Sequence, residues 1–211
     1  CTLKPKNIGS NSIAPNIFFL PLHSLTPNTT PKLQRIIIVG YMGSGKTTVG
    51  KALAESLGLT FYDLDWCIES RYHRTVPQLF AERGEQGFRE LERRLLREYG
   101  EFEDIVLSCG GGTPCFFDNM DFILRQSQCV YLKATPETLA MHLRMGKVER
   151  PLIKGKSPDE LQDYIRQSLA EREPFYSRAH HTLCVDLLEN FSKIKITVSL
   201  LRQLLGIDPK E

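Results

Sequence analysis

Residues 40–48, Gly-Tyr-Met-Gly-Ser-Gly-Lys-Thr-Thr, carry the most specific chemistry in the chain. Gly40, Gly45, Lys46 and Thr47 fit the pattern G-x-x-x-x-G-K-[ST] in full. That pattern describes a backbone wrapped around a phosphate. Glycines at 40, 43 and 45 permit positive φ, so successive N–H groups converge on anionic oxygens. A helix N-terminus adds partial positive charge, Lys46 adds a full one, and the Thr47 hydroxyl is a ligand type suited to Mg²⁺. Gly43, Ser44, Gly45, Lys46, Thr47 and Thr48 are therefore the expected contacts to a nucleoside triphosphate. A chance glycine-rich turn is the alternative. The β-branched run Ile36–Val39 before it and the four-residue spacing of Val49, Leu53 and Leu57 after it argue for strand, loop and helix instead.

Four other groups are candidates. Asp63 and Asp65 flank Leu64 and point the same way if the chain there is extended. Two carboxylates near a phosphate loop can orient Mg²⁺ and accept a proton from an attacking hydroxyl. A solvated strand end with a helix cap at Asp65 is the plainer reading. Gly110-Gly111-Gly112 costs backbone entropy and suits a flat surface that a ligand approaches closely. Arg150 lies in the glycine-bounded stretch 146–155, which reads either as a lid that excludes water from phosphates or as a connector. Arg89 and Arg172 by themselves read as a surface arginine and a helix-dipole cap.

These residues need a scaffold, and the chain supplies one by alternation. Strands are predicted at 36–39, 59–62, 105–107, 129–132 and 182–185. Helices are predicted after the phosphate loop and over about 65–72, 76–83 and 85–99, the last with Phe88, Leu91, Leu95 and Tyr99 on one face. Two more start at Thr135-Pro136-Glu137 and at Ser157-Pro158-Asp159-Glu160, where Ser157 and Glu160 form a capping box. A closing helix covers about 191–205. Such alternation implies a parallel sheet covered by helices on both faces, with ligands beyond the carboxyl ends of the strands.

Composition sets outer bounds. The 211 residues, 41% hydrophobic and 25% charged, suit one soluble domain of ordinary make-up. A net charge of +2 gives no nucleic-acid footprint, and no segment is long and apolar enough for a membrane span. Six cysteines without a C-x-x-C pair read as reduced thiols of a cytoplasmic protein, and His180-His181 as structural. Residues 1–32 contain no acidic residue and are rich in Asn, Ser, Thr and Pro. They read as a disordered tail or as a leader, in which case the protein is organelle-targeted. The domain then spans 33–211. No coiled-coil stripe or exposed apolar helix is evident, which makes a monomer the default.

Taken together, Gly40–Thr48, Asp63-Leu64-Asp65, Gly87–Glu92, Ser108–Gly112, Arg150-Pro151-Leu152 and Glu171–Tyr176 resemble the shikimate kinase family, small P-loop kinases related to the nucleoside-monophosphate kinases. The segments are spread over the whole expected domain. The resemblance implies a three-layer α/β/α P-loop kinase fold, a five-stranded parallel sheet in the order 2-3-1-4-5 and a mobile lid. It also implies ATP-dependent phosphorylation of the shikimate 3-hydroxyl, in chorismate and aromatic amino acid biosynthesis. Carried over position by position, Asp65, Arg89, Arg172 and Gly110–Gly112 bind shikimate, and Asp65 is the candidate base. Lys46 and Arg150 neutralise the transferring phosphoryl group, Thr47 holds Mg²⁺ directly and Asp63 through water, and Arg144 stacks on adenine. His73 stands where the family often has Gly, and the loop after Val185 matches no clear pattern. The rival readings are another small kinase, such as a gluconate kinase, and a non-catalytic nucleotide binder. The acceptor residues argue against the first, and the presence of Lys46, Asp65 and Arg150 against the second.

Overall fold

The protein is described by a computed structural model over residues 34–145, 155–186 and 191–207. The expectations for residues 1–32 and for the lid at 146–154, with Arg150, lie outside the described residues. Five parallel strands, β1 (Arg35–Val39), β2 (Thr60–Asp63), β3 (Ile105–Ser108), β4 (Gln128–Lys133) and β5 (His181–Cys184), form one sheet in the order 2-3-1-4-5. Among the described residues seven helices surround it: α1 (Lys46–Leu57), α2 (Leu64–Tyr72), α3 (Val76–Gly100), α4 (Asn119–Gln126), α5 (Pro136–Met145), α6 (Pro158–Tyr176) and α7 (Phe191–Leu204). This is the expected three-layer α/β/α arrangement.

β1 is central because it can be. Ile36, Ile37, Ile38 and Val39 are all buried, and a strand covered on both faces needs a continuous apolar run rather than alternation. Its register also places the chemistry. Ile38 and Asp63 both pair with Ser108, and Val39 pairs with Tyr131. The carboxyl ends of β1, β2 and β3 therefore finish level, and their loops emerge side by side.

Helix boundaries follow local signals. The Ser157–Glu160 capping box opens α6 as expected, and Thr75 with Gln78 forms a second box at α3. The two helices predicted at 76–83 and 85–99 meet at a kink in α3, where Gly84 adopts φ 66 and ψ 179. Beyond the kink Phe88, Leu91 and Leu95 are buried, while Tyr99 is partly covered. His73 closes α2 in the left-handed region, φ 52, the position at which glycine is favoured.

Three expectations need correction. The chain turns helical at Leu64, so Asp63 and not Asp65 caps α2, its carboxylate accepting from the Asp65 N–H at 3.1 Å. The 3₁₀ turn Thr113–Cys115 and α4 were not foreseen, being short segments without a side-chain cap. Finally, α7 does present an apolar stripe: Ile196, Leu200 and Leu204, spaced by four, are 60%, 46% and 39% exposed.

The Gly84 dihedrals lie in a region that only glycine occupies without strain. Gly84→Ala is expected to destabilise the protein by about 1–3 kcal/mol, lowering the melting temperature by roughly 2–4 °C per kcal/mol. An unchanged melting temperature would show that the kink relaxes into a continuous helix at no cost.

Candidate active site

A cleft of about 660 Å³ opens at the carboxyl end of the sheet, between the loop after β1, the Gly110–Gly111 backbone and the end of α5. Gly43, Gly45, Lys46, Thr47, Thr48, Asp63 and Asp65 all line it. Gly43 and Gly45 take φ 87 and 86, as wrapping demands, and no side chain caps α1, whose first N–H groups are left for an anion. Ser44 is buried beneath the loop. The Lys46 ammonium donates to the carbonyls of Gly40 and Tyr41, both at 2.9 Å, which holds it across the loop. The Thr47 hydroxyl donates to Asp63 at 2.7 Å. Two hard oxygen donors are thereby brought together beside the phosphate loop, the donor type that Mg²⁺ selects.

Beside the phosphate loop, α3, α6 and the triple glycine bring a second set of charged side chains together. Arg89 is buried and donates to Glu92 at 2.8 Å and to Glu85 at 3.4 Å. Glu92, 1% exposed, also accepts from the Thr113 hydroxyl. Arg172, on α6, lies 5.3 Å from the Tyr41 ring centre. The Tyr176 hydroxyl donates to the Gly111 carbonyl and pins α6 to the same loop.

The glycines owe their identity to this crowding. A Cβ at Gly112 would sit 2.7 Å from the Arg89 terminal nitrogens, and one at Gly110 2.8 Å from Glu92 and 2.9 Å from Asp65. One at Gly111 would lie 3.2 Å from the Met42 N–H nitrogen and 3.6 Å from Arg172. None of the three has positive φ. Close approach, not backbone freedom, is therefore the reason for them: charged side chains of the protein approach Gly110 and Gly112, and the Met42 backbone approaches Gly111. The sequence reading attributed that approach to ligand alone.

Asp65, Arg89, Arg172 and Gly110–Gly112 are thus brought to one place next to the phosphate loop. Arg144 lies apart from them: it is exposed and lines an adjoining hollow with Glu137, Met145 and Pro158, and Met145 also lines the cleft. Sequence reasoning missed two residues. Glu92 is the buried partner of Arg89, signalled only by an i, i+3 spacing that usually marks a surface pair. His142 lines the cleft and its Nδ1 lies 2.9 Å from the Gly43 carbonyl, with no motif to announce it.

Burial, then the Glu92 and Asp63 charges, push the Asp65 carboxyl up to about 7 against the opposing pull of Lys46. A carboxyl poised there is matched to accepting a proton near neutral pH.

The chain is similar to known proteins over most of its length. A family model described as shikimate kinase matches residues 42–201. The shikimate kinase of Bacteroides fragilis is 53% identical over 173 residues, covering 82% of this chain and 97% of that protein. The crystal structure of shikimate kinase from Bacteroides thetaiotaomicron superposes with a TM-score of 0.81 at 50% identity, covering 83% of this chain and 99% of the other. That of Acinetobacter baumannii shikimate kinase in complex with shikimate gives 0.72 at 34% identity, over 85% and 97%.

The raised Asp65 pKa fixes the sign of a stability effect. Its folded value lies above its unfolded one, so its contribution is complete below about pH 4 and is lost as pH rises through about 7. Asp65→Asn is expected to melt several degrees above wild type at pH 8, with the gap narrowing steadily towards pH 4. A gap independent of pH would contradict this environment for Asp65.

Proposed function

The chain belongs to the shikimate kinase family, and from that premise we propose that it transfers the γ-phosphoryl group of ATP to the 3-hydroxyl of shikimate, forming shikimate 3-phosphate on the route to chorismate and the aromatic amino acids. The observation that carries the assignment of roles is the convergence of Asp65, Arg89 and Arg172 on the Gly110–Gly112 backbone, beside the phosphate loop.

Shikimate is a ring bearing a carboxylate and three hydroxyls. The carboxylate suits planar guanidinium donors, which bind it in a bidentate fork that an ammonium cannot reproduce. Arg89 and Arg172 take that role. The ring hydroxyls fall to Asp65 and to the Gly110–Gly112 N–H groups. Asp65 orients the 3-hydroxyl and accepts its proton as the oxygen attacks.

On the donor side the loop N–H groups cradle the ATP phosphates, and Lys46 leaves its carbonyl partners to neutralise charge developing on the transferred group. Arg150 is assigned to neutralise the same charge. Mg²⁺, when bound, would supply positive charge to the phosphates. Thr47 would hold it directly and Asp63 through water. The proposal takes the protein as a monomer acting in the cytoplasm.

Two variants separate the two halves of the site. Arg89→Lys keeps the charge opposite Glu92 but removes the fork. It is expected to raise the shikimate KM by about 10²-fold, the loss of one or two charge-assisted hydrogen bonds, with nucleotide binding intact. Lys46→Met is expected to lower kcat by about 10²-fold or more, with shikimate binding retained. A normal shikimate KM in Arg89→Lys would remove Arg89 from the acceptor site, and an active Lys46→Met would contradict the transfer mechanism.

A further inference from the structure

Glu92 is not all that holds Arg89. The guanidinium carbon lies 4.2 Å from the ring centre of Phe116, and 5.5 Å from those of Phe80 and Phe88, which stack on one another at 4.3 Å. Phe80 and Phe88 share α3 with Arg89. Phe116 does not: it belongs to the loop between the 3₁₀ turn and α4, and it is the nearest ring of the three.

That loop is held under constraint. Phe117 adopts φ 52, a left-handed conformation in which a bulky side chain is a true outlier. Burial does not explain it, because Phe117 is 50% exposed. What the strained residue does is turn the chain between two anchored neighbours. On one side, Asp118 accepts from Arg93 at 2.9 Å and from Arg97 at 2.7 Å, both on α3. On the other, Phe116 faces Arg89. The loop is thus tied to the helix that carries Arg89, and the strain sets how Phe116 is presented to it.

We propose that Phe116 is a positioning residue for the acceptor, its ring fixing the plane of the Arg89 guanidinium so that the fork is preset for a carboxylate. The need for such a device follows from Arg89's own bonding. One terminal nitrogen is committed to Glu92, the other reaches Glu85 only at 3.4 Å, and Nε is buried without a hydrogen-bond partner among the described residues. Hydrogen bonds alone leave the group free to swing about the Glu92 contact. A ring beneath the guanidinium carbon restricts that swing and adds cation–π attraction, which is strongest where water is excluded. Binding then loses less freedom in the side chain. The inference rests on the reading of Arg89 as the carboxylate anchor.

The test is steady-state kinetics with shikimate and ATP varied in turn, together with thermal melts, on Phe116→Leu, Phe116→Tyr, Asp118→Ala and Arg89→Lys. Phe116→Leu is expected to raise the shikimate KM by about tenfold, with the ATP KM and kcat nearly unchanged. Phe116→Tyr, which keeps the ring, restores the KM, and Asp118→Ala shifts it in the same direction as Phe116→Leu. A Phe116→Leu protein with a lowered melting temperature but a wild-type shikimate KM would mean that the ring is only packing, and would overturn the proposal. If Arg89→Lys raises the KM in that case, the anchor stands without the positioning. If neither variant moves it, both fall.

Discussion

A buried guanidinium–carboxylate pair governs the half of the site proposed to hold the acceptor. Arg89 and Glu92 are both withdrawn from water, and a buried pair is tolerable only with close geometry and its remaining polar atoms satisfied. The neighbourhood meets those terms except at Arg89 Nε, which has no hydrogen-bond partner among the described residues. Thr113 donates to the second Glu92 oxygen, aromatic rings face the guanidinium, and Gly110 and Gly112 give up the Cβ volume that the two charged groups occupy. The triple glycine, the 3₁₀ turn after it and the second half of α3 therefore form one unit. None of them could change alone.

The donor half depends on register. Because β1, β2 and β3 finish level, the phosphate loop, the Asp63 turn and the glycine loop open into one cleft. Asp65 stands where the two halves meet, with Glu92 from the acceptor side and Lys46 and Asp63 from the donor side acting on it. Its raised pKa is a property of that junction. It arises because a carboxyl has been placed among other carboxylates at the edge of a cation's reach, an arrangement that weakens the fold and suits proton transfer.

How much of this was legible in the sequence depended on range. The phosphate loop, the apolar strands, the Ser157 capping box and the break at Gly84 are local signals, and all of them held. The sheet order came from family resemblance rather than periodicity, since alternation fixes a parallel sheet but not which strand lies beside which. Long-range facts stayed hidden. Nothing local distinguishes Arg89 and Glu92 from an exposed i, i+3 pair, and nothing local says that Gly112 is small because Arg89 lies against it. The turn at Leu64 was misjudged because Asp63 and Asp65 are equally good caps, and only the packing of α2 chooses between them.

The cleft is proposed as a kinase site whose acceptor pocket is shaped for shikimate. The most direct test is coupled ADP release with Mg-ATP alone, with shikimate, and with gluconate. Strong stimulation by shikimate and none by gluconate is the expected result. Equal stimulation by both, or none by shikimate from a protein that still binds ATP, would contradict the account.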